Sequence, residues 1–209
     1  MKNITIVDYG SGNVLSAQKS FIKITQDNNI EANIIISKSL FDIKNSTHIV
    51  LPGQGAFSTC MNGLKKTDGL IEELREFALI KKKPFLGICV GMQMLAEIGE
   101  ENGTHDGLGW IDGRIRKLPE DNLKLPHMGW NLAIPTNSKY NNLISNKNDY
   151  YFVHSYYFDC ANKDNILAET KYGTNFASIV GKENIYGVQF HPEKSSSQGL
   201  NLLKKFIRT

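Results

Sequence analysis

The strongest constraint on the fold comes from one short segment, Pro84-Phe-Leu-Gly-Ile-Cys89-Val-Gly-Met-Gln93. An apolar run ends there at a cysteine that has a glycine two residues before it and another two residues after it. This pattern predicts a nucleophile elbow, in which a buried strand turns sharply into a helix and only small neighbours fit around the strained residue. The helix N-terminus would favour the Cys89 thiolate and a nearby imidazole would take its proton, which makes the sulfur a nucleophile at neutral pH. The alternative is a buried core cysteine, because most free cysteines are of that kind and the pattern is short.

A later segment, Asn184-Ile-Tyr-Gly-Val-Gln-Phe-His191-Pro-Glu193, offers the base that such a nucleophile needs. A strand is predicted to end at His191, because Pro192 cannot continue a ladder of hydrogen bonds. Glu193 would lie on the same side of an extended chain and hold the imidazole in one tautomer. The alternative is a polar strand end that faces solvent. Together Cys89, His191 and Glu193 form a candidate catalytic triad of nucleophile, general base and orienting acid.

A third segment, Ile49-Val-Leu-Pro52-Gly53-Gln-Gly55, is an apolar strand that ends in a glycine-rich turn. Acyl transfer through a thioester forms a tetrahedral oxyanion, and hydrogen-bond donors already aimed at that oxygen are usually the largest contribution to catalysis. Gly53 is our candidate donor, and the N–H of Val90 is its candidate partner. The alternative is an ordinary turn between a strand and a helix.

The remaining pattern indicates alternating strands and helices. Short apolar runs rich in β-branched residues predict buried parallel strands over residues 4–7, 33–36, 48–51 and 85–88, and helical spacing predicts helices over 14–24, 70–80 and 197–207. From about residue 113 to residue 185, short strands and turns indicate an antiparallel or mixed extension. We therefore predict an α/β fold, with a mostly parallel central sheet flanked by helices and a smaller antiparallel or mixed extension, in a single domain over residues 1–209.

Composition excludes several classes of function. A net charge of +3 on 209 residues gives no footprint of nucleic-acid binding, and the longest apolar stretch, residues 85–96, is too short to span a bilayer. The three cysteines are an odd number without metal-ligand spacing, and the N-terminus leads into a strand instead of a signal sequence. We expect a cytoplasmic protein that binds no metal, cofactor, nucleic acid or membrane. The loop Gly10-Ser-Gly12 does not predict a dinucleotide site, because Leu15 stands where the third glycine is required.

The motifs resemble those of a known family. Pro52-Gly-x-Gly, Gly87-x-Cys89-x-Gly-Met-Gln93 and Gln189-Phe-His191-Pro-Glu193 are similar to the three motifs of triad-type glutamine amidotransferase domains, which hydrolyse glutamine and deliver ammonia. Pro126-His-Met-Gly-Trp130-Asn131 and Tyr151-Phe-Val-His154-Ser155-Tyr156 resemble the glutaminase subunits of imidazole glycerol phosphate synthase, an enzyme of histidine biosynthesis. The opening Val7-Asp-Tyr-Gly10-Ser-Gly12-Asn13 and the segment His191-Pro-Glu-Lys194-Ser195 fit the same subunits, so the resemblance covers essentially the whole chain.

The resemblance implies further site residues. Gly55, Gln93, Glu101, Ser155 and Tyr156 would hold the α-amino and α-carboxylate groups of glutamine. For Glu101, one of several acids between residues 95 and 107, a solvated carboxylate is the alternative.

The resemblance also implies a partner, a (β/α)₈-barrel cyclase subunit that combines the ammonia with a phosphoribulosyl intermediate. Asn13, Met128, Trp130, Tyr151 and Lys194 would lie at or near the interface. Their alternatives are a helix N-cap for Asn13, core positions for Met128 and Trp130, and a solvated Lys194.

One residue departs from the family pattern. The position after Gly53 is often a small aliphatic residue in the family, and here it is Gln54. The resemblance implies that a peptide flip in this turn gates the glutaminase, so we expect Gln54 to change the bias of the gate without abolishing it.

Three other functions stay open at this stage. A stand-alone cysteine hydrolase would use the same triad without a partner. A glutaminase that serves a different synthase would have a different partner. A binding or regulatory module that has lost its activity would keep the fold, although the intact triad residues argue against this.

Overall fold

The computed structural model describes residues 1–120, 123–136 and 138–209. Its first half alternates strands with helices, as the sequence pattern predicts. In chain order these elements are β1 (Lys2–Val7), α1 (Val14–Asp27), β2 (Ala32–Ser37), α2 (Leu40–Asn45), β3 (His48–Gly53), α3 (Phe57–Lys65), α4 (Leu70–Arg75), β4 (Phe85–Cys89) and α5 (Val90–Gln93). A π-helical segment, Glu76–Ile80, continues α4 directly.

The second half is built mainly from strands. They are β5 (Ile98–Gly99), β6 (His105–Asp106), β7 (Gly113–Lys117), β8 (His127–Pro135), β9 (Asn148–His154), β10 (Tyr156–Cys160), β11 (Ile166–Tyr172), β12 (Thr174–Lys182) and β13 (Ile185–Val188), followed by α6 (Ser196–Ile207). Two short 3₁₀ turns, Lys163–Asn165 and Pro192–Lys194, lie between them.

All these strands join one sheet, whose main path runs β2-β1-β3-β4-β13-β12-β10-β7-β5-β6. The first five strands along this path are parallel to one another. From β12 onward most pairs are antiparallel, and β8 and β9 branch from the sheet through β11. The predicted parallel sheet with an antiparallel extension is therefore confirmed.

Burial follows the position of each strand in the sheet. The central strands β3 and β4 are buried at every residue, because elements cover both of their faces. The prediction that residues 33–36 form a buried strand is wrong in this respect. They lie in β2 at the edge of the sheet, where Asn33 is exposed and the isoleucines are only half-buried.

Helices flank the parallel half and close the core. Phe21 of α1 meets Phe206 of α6 edge to face, with ring centroids 6.4 Å apart. The end of β13 lies beside the end of β4, with Gly187 opposite Gly87 and Val188 opposite Ile88. Residues after these two strands therefore emerge together at the carboxyl edge of the sheet, which is where ligands bind in open α/β sheets.

Candidate active site

Cys89 lies at the tip of a strained turn between β4 and α5. Its backbone has φ 56° and ψ −113°, a region that residues with side chains rarely adopt, and the residue is 5% exposed. A Cβ added to Gly91 would lie 1.8 Å from the carbonyl oxygen of Leu51, and one added to Gly87 would lie 2.5 Å from that of Gly91. The elbow therefore requires glycine on both sides of Cys89. The helix that follows has only one turn, so any stabilisation of the thiolate by this helix comes from the free N–H groups of that turn.

His191 and Glu193 form a buried pair beside this cysteine. The imidazole Nδ1 lies 2.8 Å from the Oε1 atom of Glu193, and both side chains are less than a tenth exposed. Burial by itself would lower the pKa of His191, but hydrogen bonds to Cys89 and Glu193 raise it to about 10. Because Nδ1 faces Glu193, the other ring nitrogen, Nε2, is the one that faces the sulfur. This is the arrangement of a nucleophile, a base and a group that orients the base.

The backbone that carries this pair differs from the sequence prediction. We expected an extended chain with Glu193 on the same side as His191, but β13 ends at Val188 and Pro192–Lys194 is a 3₁₀ turn. The turn brings the carboxylate back to the imidazole because proline fixes its own φ at a helical value. Several hydrogen bonds hold the segment. Among them, the His191 N–H donates to the carbonyl of Tyr151 at 2.9 Å, and the Ser195 hydroxyl donates to the carbonyl of His191 at 2.6 Å.

A cavity of about 310 Å³ opens in front of Cys89 and His191. Its wall contains every residue that the resemblance assigns to glutamine binding, namely Gly55, Gln93, Glu101, Ser155 and Tyr156. Val90, Asn13 and Lys194 also line it. Sequence reasoning did not assign Pro126, Val153 or His154 to this wall.

Gly53, the candidate oxyanion donor, does not line the cavity. It packs behind the elbow, where an added Cβ would lie 2.4 Å from the backbone nitrogen of Gly91. Close packing therefore explains why this position requires glycine. Gly55 is different, because it has φ +96° with no atom within 4 Å of an added Cβ, so the turn needs its conformational freedom. Between them Gln54 is exposed, and its carbonyl accepts a bond from the Ser11 hydroxyl at 2.7 Å.

Gln93 is buried and forms part of the cavity wall. Its amide nitrogen donates to the carbonyl of Tyr156 and to the Oε1 atom of Gln189, each at 3.0 Å. Gln189 in turn directs its amide nitrogen at the Cys89 sulfur, 3.9 Å away. Both N–H groups of Gln93 are thus used, so its Oε1 atom is the group left to accept a bond from a ligand. Gln189 is another residue that sequence reasoning did not assign to the site, although it stands inside the quoted His191 motif.

Glu101 is not the solvated carboxylate of the alternative reading. Its Oε2 atom accepts a bond from the Phe57 N–H at 2.7 Å and so caps α3, while the side chain also borders the cavity. Asn13 does serve as the N-cap of α1, accepting from the Ser16 N–H at 3.2 Å, and it reaches the cavity as well.

The other candidate interface residues lie on the surface around the cavity. Met128 is 62% exposed and Trp130 is 55% exposed, so the alternative that they are core residues is wrong. Trp130 lies opposite the half-buried Tyr151 across β8 and β9, with ring centroids 6.2 Å apart. Lys194 is exposed at the cavity rim.

Within the described residues, no group of three or more His, Cys, Asp or Glu side chains is arranged to hold a metal ion. No helix in this same part of the chain has the length and apolar character to cross a membrane.

Comparison with known proteins agrees with the geometry. The chain is 47% identical to the imidazole glycerol phosphate synthase subunit HisH of Pelagibacter ubique, over 98% of this chain and 99% of the relative. It is 43% identical to the subunit of the same name from Rhodospirillum rubrum, over 98% of each. Among solved structures, a glutamine amidotransferase matches with a TM-score of 0.70 at 15% identity, covering 98% of this chain and 97% of that one. Another, from Thermotoga maritima, matches with a TM-score of 0.62 at 18% identity, covering 99% and 81%.

These two structures share the fold, and the sequence relatives extend the likeness over nearly the full length. The family model described as glutamine amidotransferase class-I matches residues 5–209, which include all three motifs around the cavity. The resemblance inferred from the motifs is therefore confirmed, and the chain belongs to the class-I glutamine amidotransferase family.

Proposed function

We propose that this chain is the glutaminase subunit of an imidazole glycerol phosphate synthase and takes part in histidine biosynthesis. The observation that carries the proposal is that Cys89 and His191 lie together at the floor of one cavity, with the carboxylate of Glu193 bonded to the His191 ring at 2.8 Å. Two relatives with that name, each more than 40% identical over nearly the whole chain, support the choice among amidotransferases.

The mechanism follows from the geometry of the three residues. The Cys89 thiolate attacks the side-chain carboxamide carbon of glutamine, and the C–N bond breaks as His191 protonates the nitrogen that leaves as ammonia. His191 then takes a proton from water, which attacks the γ-glutamyl thioester, so the C–S bond breaks and glutamate leaves. Glu193 keeps the imidazole in the tautomer that presents Nε2 to the sulfur. No cofactor is needed.

The oxyanion that forms in both steps needs nearby N–H donors. We assign one donor to the Val90 N–H, and the assignment is supported by Val90 following the nucleophile and lining the cavity. Gly53 stays our candidate for the second donor. Its position behind the elbow means that the turn containing Gly53 has to rearrange before that N–H can reach the cavity.

The wall residues suit the two charged groups of a free amino acid. The Oε1 atom of Gln93 and the carboxylate of Glu101 are acceptors for the α-ammonium group. The backbone of Gly55, Ser155 and Tyr156 would bind the rest of the α-amino and α-carboxylate region. This division of roles selects free glutamine over a peptide-bound residue, because a peptide carries neither charge.

Ammonia is useful only if it reaches an acceptor before it is protonated and lost to solvent. We propose a barrel-type cyclase subunit as the partner. Support comes from the exposed Met128 and Trp130, which lie on β8 next to the strand that supplies Val153 to the cavity wall. Large exposed apolar side chains beside a cavity are typical of protein interfaces.

Two coarser expectations belong with this proposal. The continuous sheet supports a single domain over residues 1–209. The three cysteines are all free, which fits the reducing cytoplasm.

The proposal is tested by glutamate release from glutamine. The purified chain is assayed alone, with the candidate barrel subunit, and with that subunit plus its ribonucleotide ligand. Hydrolysis that depends on partner and ligand is the expected result, with Cys89→Ala as the inactive control. Full activity of the chain alone would point to an independent hydrolase. Absence of activity under all three conditions would contradict the proposed pairing.

A further inference from the structure

A chain of polar groups crosses the buried side of β8 and β9 and ends at the cavity wall. Asn131 Nδ2 lies 3.1 Å from His127 Nε2, and His127 Nδ1 lies 3.0 Å from His154 Nε2. His154 Nδ1 lies 2.9 Å from the carbonyl oxygen of Tyr156, the same oxygen that accepts from Gln93. The two histidines stand directly opposite each other in the β8–β9 register.

Chemistry fixes the direction of every bond in this chain. A carbonyl only accepts, so His154 carries its proton on Nδ1 and leaves Nε2 bare. His127 must then donate from Nδ1, which leaves its own Nε2 bare to accept from Asn131. The orientation of the Asn131 amide is set independently, because its nitrogen donates to the Lys171 carbonyl at 3.1 Å and its oxygen accepts from the Leu132 N–H at 2.8 Å.

Packing holds both rings in place. The His127 ring stacks on Tyr172, with centroids 4.1 Å apart, and on Phe152 at 5.0 Å. The His154 ring meets Phe176 at 5.0 Å. Burial lowers the pKa of His127 to about 4. Burial also lowers the pKa of His154 to about 3. The hydrogen bond to the Tyr156 carbonyl opposes this shift, and His127 and His191 add to it when they are protonated. Both rings are therefore neutral at physiological pH.

We propose that His127 and His154 are positioning residues for glutamine hydrolysis, which act through the carbonyl of Tyr156. That carbonyl anchors the Ser155–Tyr156 wall and one N–H of Gln93, and Gln93 anchors Gln189, which faces the Cys89 sulfur. The inference rests on the proposed function, since it concerns how that same site holds glutamine. It adds a physical link from β8, which carries the exposed Met128 and Trp130, to the substrate cavity.

The first test reads the tautomers directly. Nitrogen-15 shifts of the imidazoles distinguish Nδ1–H from Nε2–H, and we expect Nδ1–H in both His127 and His154, with neither ring titrating between pH 8 and about 5. Detection of Nε2–H in either ring would overturn the proposal. This measurement does not depend on catalysis.

The second test separates binding from chemistry. His127→Phe keeps a stacked ring but removes the donor to His154, whereas His127→Asn places an amide N–H near the lost Nδ1 position. We expect His127→Phe to raise the KM for glutamine about tenfold, the equivalent of one net hydrogen bond, with a smaller change in kcat. His127→Asn should recover most of the loss. His48→Phe is the matched control, because it alters a buried histidine at the far end of β3 and should leave KM unchanged.

The outcomes distinguish the two proposals. A wild-type complex without glutaminase activity would refute the proposed function. An active wild type whose KM does not change in His127→Phe would refute the positioning role alone. Circular dichroism checks that each variant is folded. If His127→Phe does not fold, the tautomer measurement on the wild-type protein tests the positioning role by itself.

Discussion

Cys89 holds a backbone conformation that costs free energy in any residue with a side chain, at φ 56° and ψ −113°. Sparsely populated conformations of this kind cost on the order of 1–3 kcal/mol each, a cost that glycine avoids. Glycine in an ordinary strand is instead less stable than alanine by roughly 0.5–1 kcal/mol, because it loses more chain entropy on folding. At Cys89 the first effect outweighs the second, so Cys89→Gly should be more stable than Cys89→Ala by up to about 2 kcal/mol.

Both variants lack the sulfur, so the difference between their free energies of unfolding reports the cost of the backbone conformation alone. Thermal and urea unfolding followed by circular dichroism would measure it, and for a chain of this length 1 kcal/mol corresponds to about 2–4 °C in Tm. Ala177→Gly supplies the control. Ala177 is a buried residue of β12 without positive φ, and its replacement should lower stability in the usual way. A Cys89→Gly protein that is less stable than Cys89→Ala by the ordinary 0.5–1 kcal/mol would show that the elbow stores no strain.

Three further changes have definite expected results. Cys89→Ala should abolish glutamine hydrolysis and leave partner binding intact by titration calorimetry; substantial residual turnover would rule out the thioester mechanism. Gln54→Val should alter the ratio of glutaminase rates with and without the partner's ligand by severalfold, and equal rates for both proteins at every ligand concentration would show that Gln54 does not set the bias. The pKa of His191 is raised to about 10, so its stabilising effect is complete below the unfolded value near 6.5 and is lost as pH rises through 10. The free energy of unfolding should therefore fall at alkaline pH, and Glu193→Gln should move that fall to lower pH, whereas an unchanged profile would argue against the pairing.

The parts of the site that the sequence predicts are those set by local backbone chemistry. Gly87 and Gly91 are required because a side chain at either position would collide with the backbone, and the Gly-x-Cys-x-Gly pattern of the sequence shows this requirement. Four of the five parallel strands are also predictable, because short runs of β-branched residues bounded by turns are typical of buried strands. The contact between Cys89 and His191 is not set by local sequence. It can be predicted only once β13 is known to lie beside β4.

The parts that sequence reasoning missed depend on strand register. His127 and His154 meet because β8 and β9 pair with one particular alignment, and a shift of one residue would turn every side chain to the other face. The same alignment decides that Met128 and Trp130 face outward, which alternation of residues along β8 alone does not reveal. The 3₁₀ turn at Pro192–Lys194 was missed because Pro192 is compatible with either a strand end or a helical turn.

The two halves of the sheet supply different parts of the site. The parallel half delivers Cys89 and the His191 segment to its carboxyl edge, where the buried core holds the ends of β4 and β13. The antiparallel half supplies the wall at Ser155–Tyr156, and its strand β8, which lies between β11 and β9, carries exposed apolar side chains. A protein bound to β8 would therefore contact the wall of the cavity and not its floor. Control from that side is expected to act first on how glutamine is held. It can also reach Cys89 through the Gln93 and Gln189 amides that join wall to floor, in addition to the gate expected at the Gly53–Gln54 turn.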